Sequence, residues 1–507
     1  MEFNQGLRTA QRDALDRKVS DRDSAGAERR EEDVSEKHGS REAEKALERA
    51  YETALAYLRG VHEQSNHVAV TQAEVRARLG TKLPETGEPS DAVIAALVKA
   101  ADGAFSPSIG GRFFAYVIGG THPAGVGAEF LNAAWDDHPG TPLVSPFGCA
   151  VDGLVGEWIL ELLDLPREAS VGIVTGASMG NFVGIVAARH ALLARAGWDV
   201  EAQGLFGAPP INVVVGEEAH PNIFKGLRLA GLGAERVMRI EADGNGAMRA
   251  GRLHAVLRAL AGPILVCAQA GNVNTGAMDP FEEIASACHD HGAWLHVDGA
   301  FGLWARVSPE LSRHIKGVQH ADSWSTDAHK MLNTPYDAGF GIVRDKAAHA
   351  AAMGISASYL AQQEGARDPS HYVPELSRRA RGTPVYATLR ALGRQGVREM
   401  VERCCANARR MRDRLTARPG VTCLNDVVFN QAIFRFAPRP DADGAAADRL
   451  TAEVVRRTFE SGECWVQTSQ WRGETVMRFS VADRATTEAD IDRSATAVLK
   501  AYDEARA

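Results

Sequence analysis

From residue 171 to residue 343 six short apolar runs, IVTG, NVVVG, ILVCA, WLHVD, DSWS and GFGIV, alternate with segments of helical periodicity. Parallel strands cannot be joined by a tight hairpin; each needs a crossover of a dozen residues or more, usually a helix. Runs this short and this apolar belong to strands covered on both faces. The pattern therefore predicts an α/β fold with a doubly wound, mainly parallel sheet. In such a sheet ligands sit in the crevice outside the carboxyl ends of the strands, so the residues that end each run are the first candidates for chemistry.

The run Trp294-Leu-His-Val297 ends in Asp298, and Lys330 follows downstream, preceded by Asp327 and His329. We read a strand ending in a carboxylate, a helical crossover, and a second strand ending in an amine. Taken singly, Asp298 reads equally well as a metal or nucleotide ligand, and Lys330 as a solvated lysine. As a pair facing one crevice they are what pyridoxal phosphate requires: an amine for the Schiff base, and an acid that keeps the pyridine nitrogen protonated so that the ring accepts electrons. Upstream, the strand expected at 171–174 enters Thr175-Gly-Ala-Ser-Met-Gly180 and then a helix expected over 181–195. A Gly-rich turn opening a helix gathers backbone N–H groups and the positive end of the helix dipole at one spot. Ala177 and Ser178 are the expected first contacts of the cofactor phosphate. The spacing GxxxGN is not GxGxxG, and no acidic residue ends a following strand about twenty positions on, which argues against a dinucleotide site.

Ser323, Trp324, Lys330, Met331, Leu332, Tyr336 and Ala338, with HVDGA in front of them, resemble position for position the lysine signature of the group II pyridoxal-phosphate decarboxylases, the relatives of aromatic-L-amino-acid, histidine and glutamate decarboxylases. The resemblance implies fold type I, like aspartate aminotransferase, with N-terminal helices and a small α/β C-terminal domain. It implies catalytic roles for Lys330, for His220 (stacked on the pyridine ring and meeting the substrate carboxylate), for Tyr359 of a mobile loop (proton donor) and for His329 (proton relay). Without it, His220 would read as a loop histidine with one surface hydrogen bond. Cofactor contacts are expected from Asp298, Ala300, Ala177, Ser178, His220, Asn272, Ser325 and Lys330. Asn272 and Val273 stand where that family usually has two threonines. Phe113, Phe114, Tyr116 and Phe147, with Trp135, are candidate walls of a substrate pocket. The expected reaction is decarboxylation of an L-amino acid, aromatic or bulky, to the amine and CO2. The alternatives are oxidative deamination to an aldehyde, a Cα–Cβ lyase, and a non-catalytic protein of the same fold. An acidic substrate would call for a cation in the pocket, where the 112–147 stretch offers Arg112.

Residues 1–45 are dense in both charge signs and read as a mobile arm. Residues 46–111 carry amphipathic helices, one capped by Ser90, with Pro84 and Pro89 between them. The large domain is expected over 112–384 and the small one over 385–507, with Arg378, Arg379 and Arg381 at the junction as cofactor-domain contacts or solvated charges. In the resembling family the N-terminal helices pack on a partner subunit, which implies a homodimer with the active site at or near the interface. A net charge of −8 over 507 residues offers no basic face to nucleic acid. No apolar run reaches the ~18 residues of a membrane span, no signal-peptide pattern opens the chain, and the seven cysteines show no paired spacing, which together predict a cytoplasmic protein with reduced thiols. Cys288, His289 and His291 end a helix before a glycine; the helix dipole explains them without a metal.

Overall fold

The computed structural model describes residues 40–355, 367–439 and 443–507. Most of the expected arm lies outside them, although its last residues already belong to the helix Ser40–Gly60. The described residues up to 61, with 68–106, form one compact unit, and 62–67 with 107–507 form another. The first holds the helices Ser40–Gly60, Gln72–Leu79 and Ser90–Ala101. Gln72–Leu79 opens on a capping box in which Thr71 and Glu74 each accept the other's backbone N–H. Ser90 is not a cap: Pro89 takes that position without a side-chain bond, and Ser90 is the first helical residue.

The second unit is built on a seven-stranded sheet of β1 (Ser170–Val174), β2 (Asn212–Gly216), β3 (Met238–Ile240), β4 (Ile264–Gln269), β5 (Trp294–Asp298), β6 (Ser323–Asp327) and β7 (Gly339–Val343), in the order β1-β7-β6-β5-β4-β2-β3. Only β7 runs against its neighbours. Strands β1, β4, β5, β6 and β7 are buried at every residue; apolar residues dominate β1, β4 and β7, whereas β6, Ser-Trp-Ser-Thr-Asp, buries mostly polar side chains. Register aligns Gln269 with Asp298 and Asp298 with Ser325, so one row of polar side chains crosses the carboxyl ends of β4, β5 and β6. The expected helical crossover between Asp298 and Lys330 is instead three short 3-10 segments, Gly302–Val307, Leu311–Ile315 and Val318–His320.

A four-stranded antiparallel sheet, β10 (Gln467–Trp471), β11 (Glu474–Ser480), β9 (Gln431–Phe436) and β8 (Val421–Cys423), follows the long helix Gly382–Thr416. That helix straddles residue 384 and turns at Gly393, whose φ of 60° leaves the helical region. Phe434, Phe436 and Phe479 are fully buried and share one apolar core with Val266 and Trp324 of the larger sheet. Of the two readings of Arg378, a cofactor-domain contact or a solvated charge, the structure gives the first: it forms a buried ion pair with Asp152 of that domain at 2.7 Å. Arg379 and Arg381 both reach Asp337, at 3.2 and 3.0 Å. Cys288 is buried while His289 is exposed. No helix among the described residues is long and apolar enough to cross a membrane.

Candidate active site

A cavity of about 480 Å³ opens at the carboxyl ends of the parallel strands, a volume suited to a small ligand. Asp298, Lys330, His220, His329, Ala177, Ser178, Ala300 and Tyr116 all line it. Asp298 ends β5; its Oδ2 accepts from Asn181 Nδ2 at 3.0 Å and its Oδ1 from the Ala300 amide at 3.2 Å. Lys330 is not at a strand end, since β6 stops at Asp327. Its Nζ lies 3.0 Å from Asp327 Oδ2 and 5.9 Å from the Phe301 ring centroid. The backbone at Lys330 is held from several sides. Asn333, buried and left-handed at φ 55°, donates to the Lys330 carbonyl at 3.0 Å and accepts from the Gly120 and Arg484 amides at 2.9 and 2.7 Å. Gly119 packs so closely that a Cβ there would lie 2.0 Å from the Lys330 oxygen. Strained backbone of this kind persists only where its surroundings over-determine it.

The two histidines have assignable protons. His220 caps the helix Pro221–Leu229, its Nδ1 accepting the Asn222 amide at 3.2 Å, so a neutral ring carries its proton on Nε2. Burial pushes its pKa below the ordinary histidine value, against the opposing pull of Asp298. His329 accepts the Ala338 amide at Nδ1 (3.3 Å), faces Asp327 Oδ1 with Nε2 at 3.4 Å, and stacks on Tyr336 with centroids 4.3 Å apart; burial pushes it down as well. The helix expected over 181–195 starts at Ala177, four residues earlier. Its Ala177 amide donates to Asp327 Oδ1 at 2.5 Å, and Ser178 Oγ accepts from Asn222 Nδ2 at 2.6 Å.

An amine, a carboxylate and a helix N-terminus thus share one cavity, and the family model described as "Pyridoxal-dependent decarboxylase conserved domain" matches residues 73–437. The chain belongs to the pyridoxal-dependent decarboxylases. It is 30% identical over 336 residues to the acidic amino acid decarboxylase GADL1 of Bos taurus, covering 64% of each chain, so it spans somewhat under two thirds of that relative's length. It is 26% identical over 388 residues to the aromatic-L-amino-acid decarboxylase of Bacillus atrophaeus, covering 74% of this chain and 78% of the relative. The crystal structure of Oryza sativa TDC with PLP and tryptamine superposes with a TM-score of 0.85 at 23% identity, over 92% of this chain and 98% of that one. At that identity the likeness is one of fold, the type I fold of pyridoxal enzymes.

The residues fit the family's cofactor, pyridoxal 5'-phosphate. Lys330 supplies an amine, Asp298 a carboxylate already held by two donors, and the Ala177–Arg195 helix an N-terminus, all on a cavity of suitable size. Other expected contacts lie elsewhere. Asn272 is buried beneath the cavity, where its Oδ1 accepts from the Asn274 and Thr275 amides at 2.8 and 3.2 Å and closes a turn; its neighbour Val273 lines the cavity instead. Ser325 sits one layer down, its Oγ donating to Asn181 Oδ1 at 2.5 Å. Phe113 packs edge-on against Trp465 at 5.0 Å and Phe114 against Phe479 at 4.3 Å, both in the core. In this stretch Tyr116, where φ is 56°, and the following Val117 and Ile118 line the cavity. Phe147 is exposed, in edge contact with Trp135 and outside the cavity. Tyr359 lies outside the described residues.

Arg112 does not reach the cavity. It is buried against the Glu463 and His62 carbonyls, 3.7 Å from Asp490. Besides Lys330, a cation that does line it is Arg478 of β11, which the sequence reading missed. Arg478 is 8% exposed, its Nε has no hydrogen-bond partner, and no ion pair joins it to a carboxylate among the described residues. Burial pulls its pKa down to about 10, so it stays charged at neutral pH. A buried cation without a counter-ion is costly. The sequence signal was present: one charge inside the apolar strand VMRFSV.

Proposed function

We propose that this chain decarboxylates an L-amino acid, releasing CO2 and adding one proton to Cα to give the amine. The observation that carries the reading is the convergence of Lys330, Asp298 and His220 on one cavity in a chain of this family. Pyridoxal phosphate, when bound, supplies the electron sink. The chain's own part is orientation and proton handling. Lys330 would hold the cofactor, and Asp298 would serve as the partner of its ring nitrogen. His220, kept neutral by burial with its proton on Nε2, offers a donor to the substrate carboxylate. Tyr359 returns a proton to Cα, and His329 relays protons beside Lys330. General acid catalysis of this kind typically contributes ~10²- to 10⁴-fold.

The apolar walls formed by Tyr116, Val117, Ile118 and Phe301 support an aromatic or bulky substrate side chain. A second reading, an acidic substrate, is favoured by the buried guanidinium of Arg478, whose Nε has no hydrogen-bond partner and which has no counter-ion among the described residues. We further assign a cytoplasmic homodimer. Phe130, Leu131, Trp135, Leu143, Val144 and Phe147 form an exposed apolar set that supports burial against a second copy. The deciding experiment incubates the cofactor-loaded enzyme with a pool of L-amino acids and follows CO2, amine and aldehyde by mass spectrometry. CO2 with a matching amine supports the reading and names the substrate. Aldehyde in place of amine points to oxidative deamination, and aldehyde without CO2 to a Cα–Cβ lyase.

A further inference from the structure

Beneath the cavity lie four polar side chains closed to solvent, Trp294, His296, Ser323 and Ser325, and above them Asn181, which lines the cavity floor; none is more than 1% exposed. They form one connected chain. Trp294 Nε1 donates to Ser323 Oγ at 2.9 Å; Ser323 Oγ lies 2.9 Å from His296 Nδ1; His296 Nε2 lies 2.9 Å from Asn181 Oδ1; Asn181 Nδ2 donates to Asp298 Oδ2 at 3.0 Å. Ser325 Oγ donates to the same Asn181 oxygen at 2.5 Å.

The two ends of the chain fix the direction of every bond between them. An indole N–H can only donate and a carboxylate can only accept. Asp298 therefore faces the amide NH2 of Asn181, and the amide oxygen must take its donors from Ser325 and His296. This puts the His296 proton on Nε2 and leaves a lone pair on Nδ1. The Ser323 hydroxyl, whose oxygen already accepts from Trp294, gives its own proton to Nδ1. Burial pushes the His296 pKa down to about 3, so the ring does not take a second proton at neutral pH. The ring is also held in place, because a Cβ at Gly184 would come within 2.5 Å of Nδ1.

We propose that Asn181 and His296 are positioning residues for Asp298: a one-way hydrogen-bond chain from Trp294 fixes the His296 tautomer, locks the Asn181 amide with its donor end toward the carboxylate, and so orients Asp298 for the cofactor ring. This rests on reading Asp298 as the partner of the ring nitrogen. The chain explains why a buried histidine sits two residues before that acid with no path of its own to the cavity.

The first test is the His296 tautomer in wild-type holoenzyme, read from nitrogen-15 histidine NMR, with the signal identified by its loss in a His296 variant. A neutral ring protonated at Nε2 is expected; an Nδ1 proton or a mixture of tautomers overturns the proposal. The second test is a set of variants read by cofactor dissociation constant and by the visible absorption of the bound cofactor. Asn181→Leu and His296→Asn, whose shorter amide cannot reach the Nε2 position, are expected to weaken cofactor binding about tenfold or more, the factor carried by a hydrogen bond to a charged group, and to change the absorption. His296→Gln, whose amide reaches that position, is expected to restore both toward wild type. Equal losses in the Gln and Asn variants would reduce His296 to packing and overturn the proposal. Asp298→Asn separates the layers: altered absorption there with none in Asn181→Leu refutes the relay alone, whereas an unaltered Asp298→Asn refutes the reading of Asp298 itself.

Discussion

Asp327 binds Lys330 and the helix N-terminus with one side chain: its Oδ2 lies 3.0 Å from Lys330 Nζ, and its Oδ1 accepts the Ala177 amide at 2.5 Å. Asp327 is nearly fully buried, whereas the Lys330 side chain keeps some access to the cavity. The two partners are therefore unequal. Asp327→Ala leaves a buried amide without its acceptor, which costs about 1–3 kcal/mol. We expect urea unfolding of the cofactor-free enzyme to show that loss, and Lys330→Ala, which leaves the buried Asp327 carboxylate without its cation, to show a loss as well.

Lys330→Ala should nevertheless abolish turnover and the covalent attachment of cofactor. Reduction with borohydride followed by peptide mass mapping should place the wild-type adduct on Lys330. An adduct on another lysine would remove the assignment.

Arg478→Met tests which carboxylate the buried guanidinium takes. Loss of one charge-assisted contact is worth about 1.5–3 kcal/mol, or roughly 10- to 150-fold in affinity. If Arg478 holds the carboxylate common to all amino acids, KM should rise alike for every accepted substrate. If it holds a side-chain carboxylate, the variant should lose acidic substrates selectively and keep apolar ones. Unchanged KM for all substrates would remove Arg478 from binding.

Tyr359→Phe should divert product from amine toward aldehyde and ammonia, as the family resemblance implies. Unchanged amine output from that variant would remove Tyr359 from the mechanism.

His349 predicts a pH dependence of stability. It is buried between Ser170 Oγ at 2.8 Å and the Tyr372 carbonyl at 3.0 Å, and burial pushes its pKa down to about 3. An unfolded histidine titrates near ~6.5. Above that pH the ring is neutral in both states. As pH falls from 6.5 toward 3, only the unfolded chain takes up the proton, so stability is lost at up to about 1.4 kcal/mol per pH unit from this ring. His349→Gln should show a correspondingly shallower decline between pH 6.5 and 5 in denaturant unfolding. Parallel declines in the two proteins would refute the assignment.

The strands of the larger sheet were legible because a run buried on both faces needs only local apolar residues, as in Trp294–Asp298 and Gly339–Val343. Asp298 was legible as the acid that ends such a run. Asn272 and Ser325 were misplaced by one layer, since motif spacing gives position along the chain but not depth beneath the cavity floor. Phe113 and Phe114 looked like pocket walls because aromatic residues carry the same local signal in a core as at a binding surface.

What the sequence by itself determined was the sheet, the lysine and the acid, because strand pattern and motif spacing are short-range properties of the chain. What only the tertiary structure decided was the company those residues keep. It brought Arg478 from a separate sheet to the cavity, set Asp327 between Lys330 and Ala177, and aligned the Trp294-to-Asp298 hydrogen bonds. Each of those relationships joins residues from different elements, and the balance of desolvation and hydrogen bonding that fixes them exists only after the elements have packed.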